Sequence, residues 1–129
     1  MREEKNRMDK EQGYNSFLAS ASGLPMYEEN NIPDEAVLPY GTYQGISDSL
    51  GSVCFAVCTI WNRSNSWEFL DGKKKQMEDY IGGGRLIAID DGRIFFCKGS
   101  PFAQRVKDAS DQTIKGWTFN LQIEFLTEN

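Results

Sequence analysis

The chain contains no histidine, so it lacks the side chain that most often acts as a general base or zinc ligand near neutral pH. No serine or cysteine stands in a sequence setting typical of a nucleophile. The carboxylate pairs Glu28–Glu29 and Asp90–Asp91 lie in turn-like stretches, where solvated turn residues are the simpler interpretation. We therefore expect no enzyme activity, no catalytic or metal site and no cofactor.

Cysteine is scarce, with three residues in the chain. Cys54 and Cys58 are four residues apart in one predicted strand, so their α-carbons would lie roughly 13 Å apart, which is too far for a disulfide. Without histidine partners, a zinc site built from cysteines in apolar strands is disfavoured. We expect small, buried, free thiols in a reducing compartment.

Long apolar runs are also missing, and none approaches the roughly 20 residues that a membrane helix needs. The charged segment Met1–Arg7 is followed by no apolar stretch of the kind found in signal peptides. A length of 129 residues suits one domain. We expect a flexible charged arm at 1–10, a single domain at 11–129, synthesis in the cytoplasm and no membrane partner.

Basic residues are absent between Lys10 and Arg63, a stretch that holds several carboxylates. This argues against binding of a phosphate backbone by that half of the chain, because such binding needs Lys and Arg. The cluster Lys73–Lys75 fits a solvated helix face better than a nucleic-acid site. The acidic residues between Lys10 and Arg63 are Glu11, Glu28, Glu29, Asp34, Glu35 and Asp48.

Apolar spacing predicts two helices. The first spans 8–22 with Tyr14, Phe17, Leu18 and Ala21 on one side and stops at Gly23. The second is opened by a capping box of Asn65 and Glu68 and ended by Gly82–Gly84. Those glycines follow a helix and precede a strand, which is the opposite polarity to a phosphate-binding loop. The inner stripe of the second helix is predicted to contain Trp67, Leu70, Met77, Tyr80 and Ile81.

The other segments alternate between strands and turns. Val53–Trp61 is apolar on both faces, which indicates a central strand covered by helices on one face and by a neighbouring subunit on the other. Ile114–Leu126 alternates with period two and should place its apolar face on the core. The predicted fold is α+β, with a mixed or antiparallel sheet and helices packed on one face. The remaining predictions are a loop at 25–35, a strand at 38–46, a turn at 48–51, a hairpin joining 86–89 to 93–98, and a loop or crossing segment at 99–112.

Two segments predicted to be irregular carry large aromatic side chains: Trp61–Trp67 contains two tryptophans, and Gly99–Gln104 contains Phe102. Large aromatic and arginine side chains on loops often carry the binding energy of protein contacts. Trp61 and Trp67 could equally cap the core beside the second helix. The candidate interface residues are Trp61, Arg63, Trp67, Pro101, Phe102 and Gln104.

The order of these blocks resembles the tail terminator (tail-completion, minor tail) proteins of bacteriophages with long non-contractile tails. The resemblance covers nearly the whole chain past about residue 13. It is carried by the segments Gly23–Asn30, Val37–Tyr43, Ile60–Trp67, Gly92–Gln104 and Asn120–Leu126.

The resemblance implies a tail-terminator-like α+β subunit that forms a homo-oligomeric ring, a hexamer, at the head-proximal end of the tail tube. Its partners would be the tail tube protein and the head connector or stopper protein, with DNA passing through the channel without specific binding. The protein would reside in the virion neck after assembly in the bacterial cytoplasm. Two alternatives remain open: another neck or tail component, such as a tail tube or head-completion protein, and a small α+β enzyme or ligand-binding domain.

Overall fold

A computed structural model describes residues 9–44, 53–90 and 92–127. None of the helices in these ranges combines the length and apolarity that crossing a membrane requires. The described elements, in chain order, are α1 (Lys10–Ser22), β1 (Met26–Glu28), β2 (Tyr40–Tyr43), β3 (Val53–Arg63), α2 (Glu68–Ile81), β4 (Arg85–Ile89), β5 (Gly92–Lys107) and β6 (Ile114–Thr127).

The predicted first helix is confirmed as α1, and its ends have clear causes. Asp9 is the N-cap: its carboxylate accepts from the Gln12 backbone N–H at 2.8 Å, and the Gln12 side chain accepts from the Asp9 N–H at 3.0 Å. This reciprocal pair satisfies two free amides of the first turn. The helix ends at Gly23, whose φ of 71° suits glycine. Residues 1–8 of the predicted arm lie outside the described residues.

The second helix is also confirmed, but its predicted capping box is wrong. Trp67 occupies the N-cap position and its side chain makes no capping hydrogen bond. Two serine hydroxyls satisfy amides just ahead of the helix and at its first residue: Ser66 Oγ accepts from the Glu68 N–H, and Ser64 Oγ accepts from the Ser66 N–H, both at 3.0 Å. These are serine turns, in which the side-chain oxygen accepts from a backbone amide two residues on. Gly82, with φ of 53°, ends the helix as predicted.

The described strands form one six-stranded mixed sheet in the order β1-β2-β3-β6-β5-β4. β3 is central, between β2 and β6, as predicted. The loop predicted at 25–35 is wrong at its start, because Met26–Glu28 pairs with β2 in parallel. The other described neighbours pair antiparallel. The predicted turn at 48–51 and the last two residues of the strand predicted at 38–46 fall outside the described residues.

The predicted β4–β5 hairpin is confirmed, whereas the loop predicted from residue 99 is wrong as far as Lys107, because β5 continues. The turn-forming residues of this stretch form a β-bulge, in which residues 99–102 of β5 lie opposite a single residue of β6, Asn120. A side chain on Gly99 would put its Cβ 2.9 Å from the Asn120 carbonyl oxygen, so the bulge needs glycine there. The Ser100–Pro101 peptide bond inside the bulge is cis.

Both helices pack on one face of the sheet and form a single apolar core with it. The ring of Phe17 stacks on that of Phe96 with centroids 3.7 Å apart, and Tyr14 contacts Tyr43 edge-on at 5.0 Å. The alternation predicted for β6 is confirmed, although Trp117 at the end of its apolar face is only half-buried. The fold is therefore α+β, with helices on one face of a mixed sheet. The fully buried β6 residues are Phe119, Leu121, Ile123 and Phe125.

Candidate interaction surfaces

The sheet face turned away from the helices, here called the open face, exposes large apolar side chains. Phe55 on β3 is 74% exposed and Leu86 on β4 is 51% exposed. Across the open face, Phe55 on β3 lies beside Gln122 on β6, which in turn lies beside Cys97 on β5. Further along, Thr59 and Thr118 share a hydrogen bond between their Oγ1 atoms at 2.9 Å. This face combines apolar anchors with satisfied polar groups, a composition found at protein interfaces.

The six candidate interface residues do not form one site. Trp61 and Arg63 lie at the end of β3, and Trp67 caps α2 on the helix side of the sheet. Pro101, Phe102 and Gln104 lie on β5, in or next to the bulge. The structure thus separates the candidates into three surfaces.

The first surface is a groove of about 320 Å³ whose wall includes Trp61. The Trp61 indole N–H donates to Thr42 Oγ1 at 3.0 Å, which fixes the ring in place. Because the indole donor is already satisfied, the ring offers its apolar surface to the groove. The other apolar lining residues are Ile32, Leu38, Tyr40 and Ile114, and the carboxylates are those of Glu29 and Asp108.

Arg63, close to this groove, is held by its own chain. One guanidinium nitrogen donates to Asp111 Oδ2 at 2.6 Å and to Thr113 Oγ1 at 3.0 Å. Hydrogen bonds from Thr113 and from Arg63 lower the pKa of Asp111 from its ordinary value of 3.8 to about 2. Arg63 is more than half exposed, so it can still meet a partner while its position is fixed.

The second surface surrounds Trp67, where an arginine is stacked on two tryptophans. The Arg105 guanidinium carbon lies 4.5 Å from a Trp67 ring centroid and 5.6 Å from one of Trp117. Asp71 completes the cluster, accepting from Arg105 Nη2 at 3.0 Å and from the Trp117 indole N–H at 2.9 Å. Sequence reasoning missed Arg105 and Asp71. Arg105 lies opposite Trp117 in the β5–β6 pairing, so the contact could have been predicted only if residues 99–107 had been recognised as part of a strand.

The third surface is the bulge, which presents an exposed Pro101 on a fixed base. Asn120 Nδ2 donates to the Pro101 carbonyl at 2.9 Å, and the Phe102 ring lies 5.4 Å from the buried Phe119 ring. The Lys98 ammonium lies 5.7 Å from the Phe102 ring. Gln104, just beyond the bulge, is exposed as well. The bulge is thus a tethered projection at the sheet edge.

Two buried polar groups lie in the core away from these surfaces. Burial raises the pKa of the Cys58 thiol to about 12 and, with smaller contributions from Cys58 and Tyr43, raises that of Tyr14 above its usual range. All three cysteines are free thiols, of which Cys58 is buried and Cys54 and Cys97 are partly buried. Across the described ranges, His, Cys, Asp and Glu residues form no group of three or more that could hold a metal ion.

Comparison with protein-family models gives no match for this chain, and comparison with curated proteins gives no significant match.

Proposed function

We propose that this protein is a structural subunit of a bacteriophage tail that forms a ring at the head-proximal end of the tail tube. The ring ends polymerisation of the tube and joins the tail to the head. The observation that carries the proposal is the open sheet face, because a solvated side chain as large as Phe55 gains most from a partner surface.

The three interaction surfaces support a subunit with several neighbours. A ring subunit touches two identical neighbours, and a ring between tube and head also needs an axial contact on each side. The groove beside Trp61, the Trp67 cluster and the bulge are separate, and each holds its aromatic residues in place through contacts within the chain. Side chains fixed before binding lose little entropy on association.

The proposed partners are further copies of this chain in a hexamer, the tail tube protein and the head connector or stopper protein. DNA would pass through the ring without specific binding. The exposed carboxylates of Asp34 and Glu35 suit a channel wall, since they repel phosphates. Placing these residues in an image of the assembled ring tests that assignment, and positions on the outer rim would contradict it. Such a protein would reside in the virion neck after assembly in the bacterial cytoplasm.

Deletion of the gene from the phage that encodes it tests the proposal. We expect full heads without tails, together with unattached tails of uncontrolled length, as seen by electron microscopy. Supplying the intact chain from a plasmid should restore joined particles. Infectious particles of normal tail length from the deletion strain would rule the function out.

A further inference from the structure

The bulge has the form of a projecting knob. Four residues of β5 stand opposite one residue of β6, so the extra backbone leaves the ladder at Gly99–Phe102. In the described residues, the pairing of β5 with β4 ends at Phe96, so residues 99–102 lie at the edge of the sheet. Its exposed tip, Ser100–Pro101, is held by the Asn120 hydrogen bond and the Phe102–Phe119 contact. The bulge therefore presents proline on a rigid support, with the Lys98 ammonium 5.7 Å from the ring of Phe102 at its base.

The groove beside Trp61 has the opposite chemistry. Its floor and walls are aromatic and aliphatic, and the carboxylates of Glu29 and Asp108 lie in its lining. An apolar side chain flanked by a positive charge would bury its apolar part against Trp61 and Tyr40 and neutralise a carboxylate.

The segment that contains the bulge is basic, and the stretch that supplies Glu29 to the groove is acidic. The segment Gly92–Lys107, which contains the bulge, carries Arg93, Lys98, Arg105 and Lys107 but no acidic residue. Glu29 of the groove belongs to the stretch between Lys10 and Arg63, which carries no basic residue. The basic segment of one copy and the acidic stretch of another therefore attract each other.

We propose that the bulge of one copy seats in the groove of the next, with Pro101 against the Trp61 ring and Lys98 beside Glu29. The bulge is held at Asn120, whereas the groove is lined by β2, the Trp61 end of β3 and Ile114 at the start of β6, so a copy does not fill its own groove. Two different patches then meet at every contact, which is the heterologous arrangement that a ring of identical subunits needs. The inference rests on the proposed ring and identifies the surfaces that build it.

Charge reversal tests the contact in the full-length protein. Lys98→Glu and Glu29→Lys should each raise the dissociation constant for self-association about tenfold, measured by sedimentation over a concentration series. The matched controls are Lys75→Glu and Asp79→Lys, two exposed positions on α2, which should leave self-association unchanged. Thermal unfolding of each variant establishes that it is folded.

Mixing the two variants provides the sharper test. Lys98→Glu places a carboxylate opposite Glu29, and Glu29→Lys places an ammonium group opposite Lys98, so at this pair each variant repels itself. In an equimolar mixture every contact joins opposite charges, and assembly should return to within about threefold of the intact chain.

Three outcomes overturn the contact: reversals that associate as tightly as the intact chain, a mixture that stays dissociated, or an intact chain that is monomeric at every concentration. The first two leave the proposed function standing, since a ring can form through other surfaces. Infectious particles of normal tail length from the gene-deletion strain overturn the function alone, because self-association is measured without the phage.

Discussion

Neighbouring residues of β6 have opposite surroundings, because they alternate between the two faces of the sheet. Phe119 and Leu121 are fully buried beneath the helices, whereas Thr118 and Asn120 are only partly buried on the open face. The contrast is greater between Phe96, fully buried, and Phe55, which is 74% exposed. The helix-covered face thus stabilises the fold, whereas the open face leaves large apolar side chains exposed. Aromatic character alone does not tell on which of the two faces a residue lies.

The largest expected effect comes from truncating one phenylalanine on each face. Phe119→Ala should lower the free energy of unfolding by about 3–5 kcal/mol, since it removes a fully buried ring and leaves a cavity. Phe55→Ala should change it by less than about 0.5 kcal/mol. Denaturant unfolding of the purified chain measures both. Similar losses for the two variants would contradict the difference between the faces.

A smaller effect is expected where the helix-covered face ends at the Trp67 cluster. Arg105→Ala removes the cation stacked on Trp67 and its ion pair with Asp71, both partly exposed, so the free energy of unfolding should fall by about 1–2 kcal/mol. Lys107→Ala, an exposed position on the same strand, should cost less than about 0.5 kcal/mol. A double-mutant cycle with Asp71→Ala separates the contribution of the ion pair from that of the stacking. Equal losses of unfolding free energy in Arg105→Ala and Lys107→Ala would show that the Trp67 cluster does not stabilise the fold.

Two tyrosines sharpen the description of the buried face. Among the described residues no hydrogen-bond partner reaches the buried Tyr14 hydroxyl, so Tyr14→Phe should raise the free energy of unfolding by about 1 kcal/mol. The Tyr43 hydroxyl accepts from Asn15 Nδ2 at 3.1 Å, so Tyr43→Phe should lower it by about 1 kcal/mol. Thermal unfolding of both variants measures the sign, and a destabilised Tyr14→Phe would indicate a partner for that hydroxyl.

The smallest effect concerns acid stability at the exposed Arg63–Asp111 pair. The pKa of Asp111 in the folded protein, about 2, lies below its ordinary value of 3.8. The stabilisation of the folded protein by the Asp111 carboxylate is therefore fully present above pH 3.8 and is lost as the pH falls through about 2. The gap in melting temperature between the wild-type chain and Asp111→Asn should therefore close between about pH 4 and 2. The exposed Asp34→Asn serves as the control, and a gap that is constant with pH would contradict the assignment.

Elements with a strong local pattern could be predicted from the sequence. The stripe of α1, the glycines after α2 and the alternation of β6 each follow from neighbouring residues. β1 could not be predicted, because three residues carry no periodicity and their pairing with β2 depends on tertiary contacts. The second half of β5 was missed because Gly99 and Pro101 normally interrupt strands, and here a bulge accommodates them.

The candidate surfaces were predictable only in part. Aromatic residues in segments rich in turn formers indicated which side chains could bind, but not which of them share a surface. Arg105 meets Trp117 and Asp71 because of the β5–β6 register and the position of α2, and neither can be derived from spacing along the chain. The groove likewise combines Glu29, Trp61 and Ile114 from distant segments.

The stacking of α1 against β5 has a consequence for synthesis on the ribosome. The apolar side of α1 leaves the ribosome before β5 and β6, yet the ring of Phe17 packs on Phe96, and Lys10 lies over the ring of Phe125 in the last described strand. A helix of 13 residues is marginal in water by itself. The core can therefore close only after β5 and β6 have left the exit tunnel, so the chain folds after translation of this domain rather than progressively from its first helix.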